Sequence, residues 1–352
     1  MKIFDYDRPT TIAEAIAAGS KPGAAYLAGG TNLLDLMKGR IVQPDRLVDI
    51  GRIAGLDRIE MLPGGGARIG ALVRNADLAH HHDFAQRFPA VAEALLSGAS
   101  AQLRNAATVG GNLLQRTRCA YFYDTASACN KRTPGAGCEA RGGDTRLHAV
   151  LGWSDSCIAT NPSDFCVPLV ALDAVVEIAG GEGSREVPLD DFHRLPGDTP
   201  ESDSVLRPGE LIVALRLPPE AAGFSAHARY LKLRDRTSYA FAVLSAAAAL
   251  RMDHGVIAEA RIALGGVALK PWRPRAAEAM LTGVAPARTA FRGAADAALA
   301  DARPSGDNAF KIELARRIVT RALMLAAAGT PARMPALPAS AFATTSGVLV
   351  DV

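Results

Sequence analysis

The chain has 352 residues, too many for one compact core of ordinary size, so two or three domains are expected. Hydrophobic residues make up 49% and charged residues 21%, the balance of a filled globular interior, which excludes a disordered chain. A formal net charge of only +3 argues against nucleic acid or an anionic membrane as the main partner, and no apolar run reaches the roughly 18 residues of a membrane span. The N-terminal MKIFDYDRPT lacks the apolar stretch of a secretory signal, so the expectation is a cytoplasmic protein, or a periplasmic one exported on a partner's signal.

Taken in chain order, TTIAEAIAAG (10–19) reads as a helix with a threonine N-cap and a glycine stop. AAYLAGGTNLLDLMKGR (24–40) reads as a strand, a glycine turn and an amphipathic helix carrying Leu33, Leu34 and Met37. RLVDIG (46–51) and ARIGALV (67–73) read as strands, and the segments from NADLAHHHDFAQRF through PAVAEALLSGAS as helices. PSDFCVPLVALDA predicts a further helix, AVVEIAG and ELIVALRLP two more strands. Beyond a turn-rich PPEAAG, three strand-like runs (ARYLKLRD, YAFAVLSAAAALRM, AEARIALGGVA) are followed by three helical ones (RPRAAEAMLTG, TAFRGAADAALADA, FKIELARRIVTRALMLAAAG), the signature of a second α+β unit with segregated layers. The proline- and alanine-rich end, 331–352, reads as an extended arm.

Four of the five cysteines, Cys119, Cys129, Cys138 and Cys157, crowd into one glycine- and proline-rich stretch, and Cys166 follows on a helix expected in the core. Their spacing, C-x9-C-x8-C-x18-C, is unlike the short pairs of zinc ribbons and unlike the compact ferredoxin run. Cysteine content alone leaves an iron–sulfur cluster, a zinc site, and buried or disulfide-bonded thiols all open. Between Arg104 and Arg146 seven cations face three anions, which favours an anionic centre there. Two glycine pairs flank the stretch on its N-terminal side, AGGTN (28–32) and ATVGGN (107–112), and a PSD segment (162–164) follows it. Such turns let a backbone approach a pyrophosphate closely, yet neither is a GxGxxG fingerprint or a P-loop. His80, His81 and His82 point in different directions on a helix and form no ligand face. His148 is either a hydrogen-bonding neighbour of the cysteines or a satisfied buried histidine.

AGGTNLLDLMK, RNAATVGGNL, ATNPSD with VPLVALDA, LRPGELIVALRLP and RIALGGVALKPWRPRAAE, in that order, resemble the FAD-binding medium subunit of the molybdenum hydroxylase (xanthine oxidase) superfamily over about residues 1–328. QRTRCAYFYD, CNKRTPGAGC and CIATNPSD resemble the FAD-binding subunits of the periplasmic aldehyde oxidoreductase type, which carry an extra [4Fe-4S] cluster, and 4-hydroxybenzoyl-CoA reductase has a similar insertion. The resemblance implies an α+β fold. It divides the chain into an FAD-binding domain of the PCMH/CO dehydrogenase flavoprotein type over 1–222, in two subdomains of about 1–55 and 56–222 with a cluster-binding insertion at 113–158. A CO dehydrogenase flavoprotein-like domain of three strands and three helices would follow over 223–330, then the arm at 331–352.

The resemblance also implies the site. FAD would lie on Leu27, Ala28, Gly29, Gly30, Thr31, Asn32 and Leu33 with Thr108, Gly111 and Asn112. Asp164 would hold a ribityl or ribose hydroxyl, Ile212 would pack on the ring system, and Lys232 would approach the flavin's pyrimidine side, where a cation stabilises the anionic reduced flavin. Cys119, Cys129, Cys138 and Cys157 would hold the [4Fe-4S] cluster, and substrate chemistry would fall to a partner. The implied complex is a heterotrimer with a large molybdopterin-cofactor subunit and a small subunit of two [2Fe-2S] clusters, electrons leaving through the FAD to an external acceptor. An N-heterocycle dehydrogenase or 4-hydroxybenzoyl-CoA reductase-like complex is one alternative, and a zinc-stabilised scaffold subunit another.

Overall fold

The computed structural model describes residues 1–341. Three sheets follow one another along the chain. The first is parallel, ordered β1 (Asp5–Asp7), β3 (Arg46–Asp49), β2 (Ala24–Leu27). Its first helix, Ile12–Gly19, starts on a capping box in which Thr11 Oγ1 accepts from Glu14 N while the Glu14 carboxylate takes up Thr11 N. The second sheet is antiparallel, ordered β4 (Ile59–Met61), β5 (Ala67–Gly70), β8 (Leu211–Leu217), β6 (Val175–Gly180), β7 (Gly183–Pro188). The third is antiparallel, with β10 (Leu244–Asp253) between β9 (Ala228–Leu233) and β11 (Val256–Gly265). The two residues joining β10 to β11, His254 and Gly255, have φ of 45° and 83°, the pair of left-handed residues a tight type I′ hairpin needs.

β10 shows why the two large units do not separate. Ala247 and Ala249 face the core built on the second sheet, while Ala246, Ala248 and Leu250 face the core formed with helices Arg288–Ala298 and Phe310–Ala327. Alternate residues of one strand thus serve two cores, and with both faces covered only small apolar side chains fit. The expected three strands and three helices of the C-terminal unit are present, the third helix being Arg275–Ala279.

Some boundaries differ from the sequence reading. The strand expected from Tyr239 starts at Leu244, and the one expected to reach Val73 stops at Gly70. β1, β4 and β7 were not legible: two span three residues, and β7 is an edge strand of mostly exposed residues. The arm does lack helix and strand as far as Ala341, touching β9 through a bridge between Lys232 and Ser340. Its residues 342–352 lie outside the described part.

Candidate functional site

The first glycine turn leaves β2 at Leu27 and enters helix Leu33–Lys38 through Ala28, Gly29, Gly30, Thr31 and Asn32. Gly30 has φ of 70°, which an L side chain resists. Gly29 answers a different demand, since a Cβ there would drive into the Ala106 carbonyl oxygen. The two glycine turns therefore pack backbone against backbone. The second glycine pair sits in a short helix, Val109–Leu113, capped by Thr108, whose Oγ1 accepts from Gly111 N at 3.2 Å. Asn32, closing the first turn, ties it to the chain just past the second: its Oδ1 accepts from Arg116 N at 2.9 Å, while its Nδ2 is buried without a partner. An orphaned amide donor at the meeting of two glycine turns suits a phosphate or carbonyl oxygen.

From there polar contacts continue to the third sheet. Ser163 Oγ donates to Asn112 Oδ1 at 2.8 Å. Asp164, the next residue, accepts from Tyr230 Oη at 2.6 Å and from Lys232 Nζ at 2.7 Å, and Lys232 also reaches Ser97 O at 3.3 Å. Lys232 and Asp164 side chains are 1% and 10% exposed. Burial, reinforced by the Asp164 charge, pushes the Tyr230 phenol well above its usual range, so it remains a donor. Of the sequence-predicted flavin residues, only Asp164 lines the cavity described next; Lys232 reaches it through Asp164, the glycine-turn residues lie outside its wall, and Ile212 is buried in the core built on the second sheet.

That cavity, about 870 Å³ including its open mouth, is lined by Asp164, Ser163, Asn161, His148, Phe241 and Cys119 among others. Sharing Cys119 with it is a second cavity, about 300 Å³ including its open mouth, whose walls include all four expected cysteines, Cys119, Cys129, Cys138 and Cys157. Cys119 caps helix Ala120–Tyr123, Cys129 and Cys138 face each other across an isolated antiparallel bridge, and Cys157 bridges Ser154. None is in a disulfide. Among the described residues no three His, Cys, Asp or Glu side chains converge on one point as a single ion requires, so the thiols surround a space without meeting in it. Burial pushes Cys119 and Cys157 up to about 11 and raises Cys138, so without metal these are protonated thiols.

The stretch is stitched by its own polar side chains. Arg132 donates to the carbonyls of Tyr121, Phe122 and Ser127, and Asn130 Oδ1 accepts from Gly137 N at 2.7 Å while its Nδ2 reaches Ser156 O at 3.1 Å. Lys131, 1% exposed at its side chain, pairs with Asp203, which also holds Arg116. His148 Nε2 lies 3.2 Å from Cys119 Sγ. Cys166 is 0% exposed at the start of helix Cys166–Ala171 and lines neither cavity. Lys131 counted in the sequence only as one of the seven cations around the cysteines, and Asp203 and Tyr230 were missed, because no local pattern links them to cysteines or glycine turns.

Residues 2–220 match the family described as the FAD binding domain in molybdopterin dehydrogenase, and residues 229–326 the CO dehydrogenase flavoprotein C-terminal domain. The chain is 52% identical over 325 residues to the aldehyde oxidoreductase FAD-binding subunit PaoB of Escherichia coli (strain K12), covering 92% of this chain and 98% of that one. It is 30% identical over 326 residues to the carbon monoxide dehydrogenase medium chain of Hydrogenophaga pseudoflava, covering 91% and 96%. Among solved structures, carbon monoxide dehydrogenase from Hydrogenophaga pseudoflava lacking the Mo-pyranopterin moiety superposes with a TM-score of 0.72 at 31% identity over 93% of this chain and 98% of that one. Reconstituted CO dehydrogenase from Oligotropha carboxidovorans gives 0.74 at 28% identity over 94% and 99%. With its glycine turns, its two domains and these relatives in agreement, the chain belongs to the FAD-binding subunits of the molybdenum hydroxylase family of oxidoreductases.

Proposed function

We propose that the chain carries a [4Fe-4S] cluster beside its FAD and is the electron-transfer subunit of a heterotrimeric molybdenum aldehyde oxidoreductase. Its partners are a large molybdopterin subunit, where the aldehyde is oxidised, and a small subunit with two [2Fe-2S] clusters, which delivers electrons for passage to an external acceptor. The observation that carries the reading is the shared wall: four thiols line one cavity, and Cys119 also lines the cavity at Asp164. A cubane takes its four thiolates from around one volume, and the four thiols lining this cavity suit that arrangement. The resemblance to a subunit named for aldehyde oxidation favours that substrate class.

When bound, FAD exchanges one or two electrons and the cluster one, so the pair can pass electrons between one-electron clusters and a two-electron acceptor. The protein's own contributions are positional. The paired glycine turns and Asn32 Nδ2 would meet the pyrophosphate, Asp164 would hold a hydroxyl while keeping Lys232 in place, and Lys232 sets a buried cation behind Asp164. Lys131 sets another cation beside the thiols. The test is metal and flavin analysis of the purified protein with its absorption spectrum: about four irons per chain and one FAD are expected. A colourless, zinc-containing preparation refutes the cluster.

A further inference from the structure

His148 lines the cavity at Asp164 and touches Cys119, the cysteine that lines both cavities. Its Nε2 lies 3.2 Å from Cys119 Sγ, its ring lines the cavity that contains Asp164, and its Nδ1 is buried with no partner. The residue is 7% exposed and held from both sides of its backbone. Its N donates to Thr145 O at 2.9 Å, and its O accepts from Asn308 Nδ2 at 3.0 Å and Lys311 Nζ at 2.8 Å. Lys311 is itself fully buried, which pushes it down to about 7, and its Nζ donates to three carbonyls, those of Leu147, His148 and Gly266. A buried Nζ spent on three backbone carbonyls anchors the chain it grips, and the chain it grips carries His148.

We infer that His148 is a positioning residue that donates its Nε2–H to the Cys119 thiolate, raising the potential of the cluster and linking it to the group held in the adjoining cavity. The inference rests on the cluster reading above. A metal-bound thiolate has lone pairs and no proton, so only the Nε2–H tautomer completes this contact. That tautomer makes Nδ1 an acceptor, free for a donor on the occupant of the Asp164 cavity. A hydrogen bond to a cluster sulfur withdraws electron density and stabilises the reduced, more negative state, the lever by which second-shell donors set cluster potentials.

The experiment uses the holoprotein in its complex, with His148→Phe, which keeps an aromatic ring and lacks the donor, and His148→Gln, which returns an amide donor. Expected for His148→Phe are retained iron and FAD, a cluster midpoint potential shifted negative in an EPR-monitored titration, and a flavin potential moved less than the cluster's. His148→Gln restores the cluster potential toward the parent value. Independently of any variant's folding, parent protein grown with ¹⁵N-histidine shows a ¹⁵N coupling to the reduced [4Fe-4S] cluster in pulsed EPR. An iron-replete His148→Phe with an unmoved cluster potential, or the absence of that coupling, overturns the inference and leaves the cluster reading standing. An iron-free parent protein overturns both.

Discussion

Gly29 and Gly30 are neighbours with unlike constraints, and the difference sets what their replacement does. Gly30 needs its backbone freedom: at φ of 70° an alanine is strained by about 1 kcal/mol, and its Cβ meets the Leu34 side chain, which can rotate away. Gly29 needs its missing side chain, because the obstacle is the Ala106 carbonyl, which cannot swing aside. Gly29→Ala is therefore expected to part the two glycine turns and weaken FAD binding at least tenfold, about 1.4 kcal/mol, with Gly30→Ala milder. Flavin content and FAD titration of the two purified variants test this, and tight FAD binding by Gly29→Ala would show that the turns need not touch to hold it.

The cysteine-bearing stretch is the element whose order most needs explanation. It has two single helical turns, Ala120–Tyr123 and Glu139–Gly142, so little of its backbone is satisfied by regular structure. Arg132 and Asn130 supply local cross-links, and a cluster would add four more, offsetting the entropy of fixing so long a loop. If the four thiolates share one cubane, serine at any of Cys119, Cys129, Cys138 or Cys157 removes about four irons per chain, because oxygen is a poor substitute for sulfur at iron. Cys166→Ser keeps its iron, since that thiol packs in the core under helix Cys166–Ala171. Iron analysis of the five variants decides the ligand set: full iron in any of the first four, or loss in the fifth, means the set is wrong.

Across the whole molecule, the two large units are joined by buried ion pairs as well as by β10. Glu93 accepts from Arg229 through Nε at 3.2 Å and Nη2 at 3.0 Å, from Tyr230 N at 3.0 Å, and from Ala339 N of the arm at 3.1 Å. The Glu93 and Arg229 side chains are 4% and 1% exposed. Glu93→Gln strands the guanidinium without its counter-charge, at a cost of about 3–5 kcal/mol. A large fall in denaturation midpoint, with earlier proteolysis between the units, is the expected result, and an unchanged midpoint would mean that the Glu93–Arg229 pair does not help to join them. The sequence by itself determined the helices and longer strands, through their hydrophobic periodicity, and the C-terminal succession of three strands and three helices. It also carried the glycine turns, the family and the separation of Cys166 from the other cysteines, because these are written in neighbouring residues. Only the tertiary structure decided that Gly29 abuts Ala106, that Asp164 is locked to Lys232 and Tyr230, and that the four thiols ring one cavity with His148 against Cys119. It alone also revealed the three-residue strands β1 and β4, too short to show a period. These pairings join residues far apart in the chain, and which distant groups meet is fixed by how the sheets and helices pack; local spacing carries no record of it.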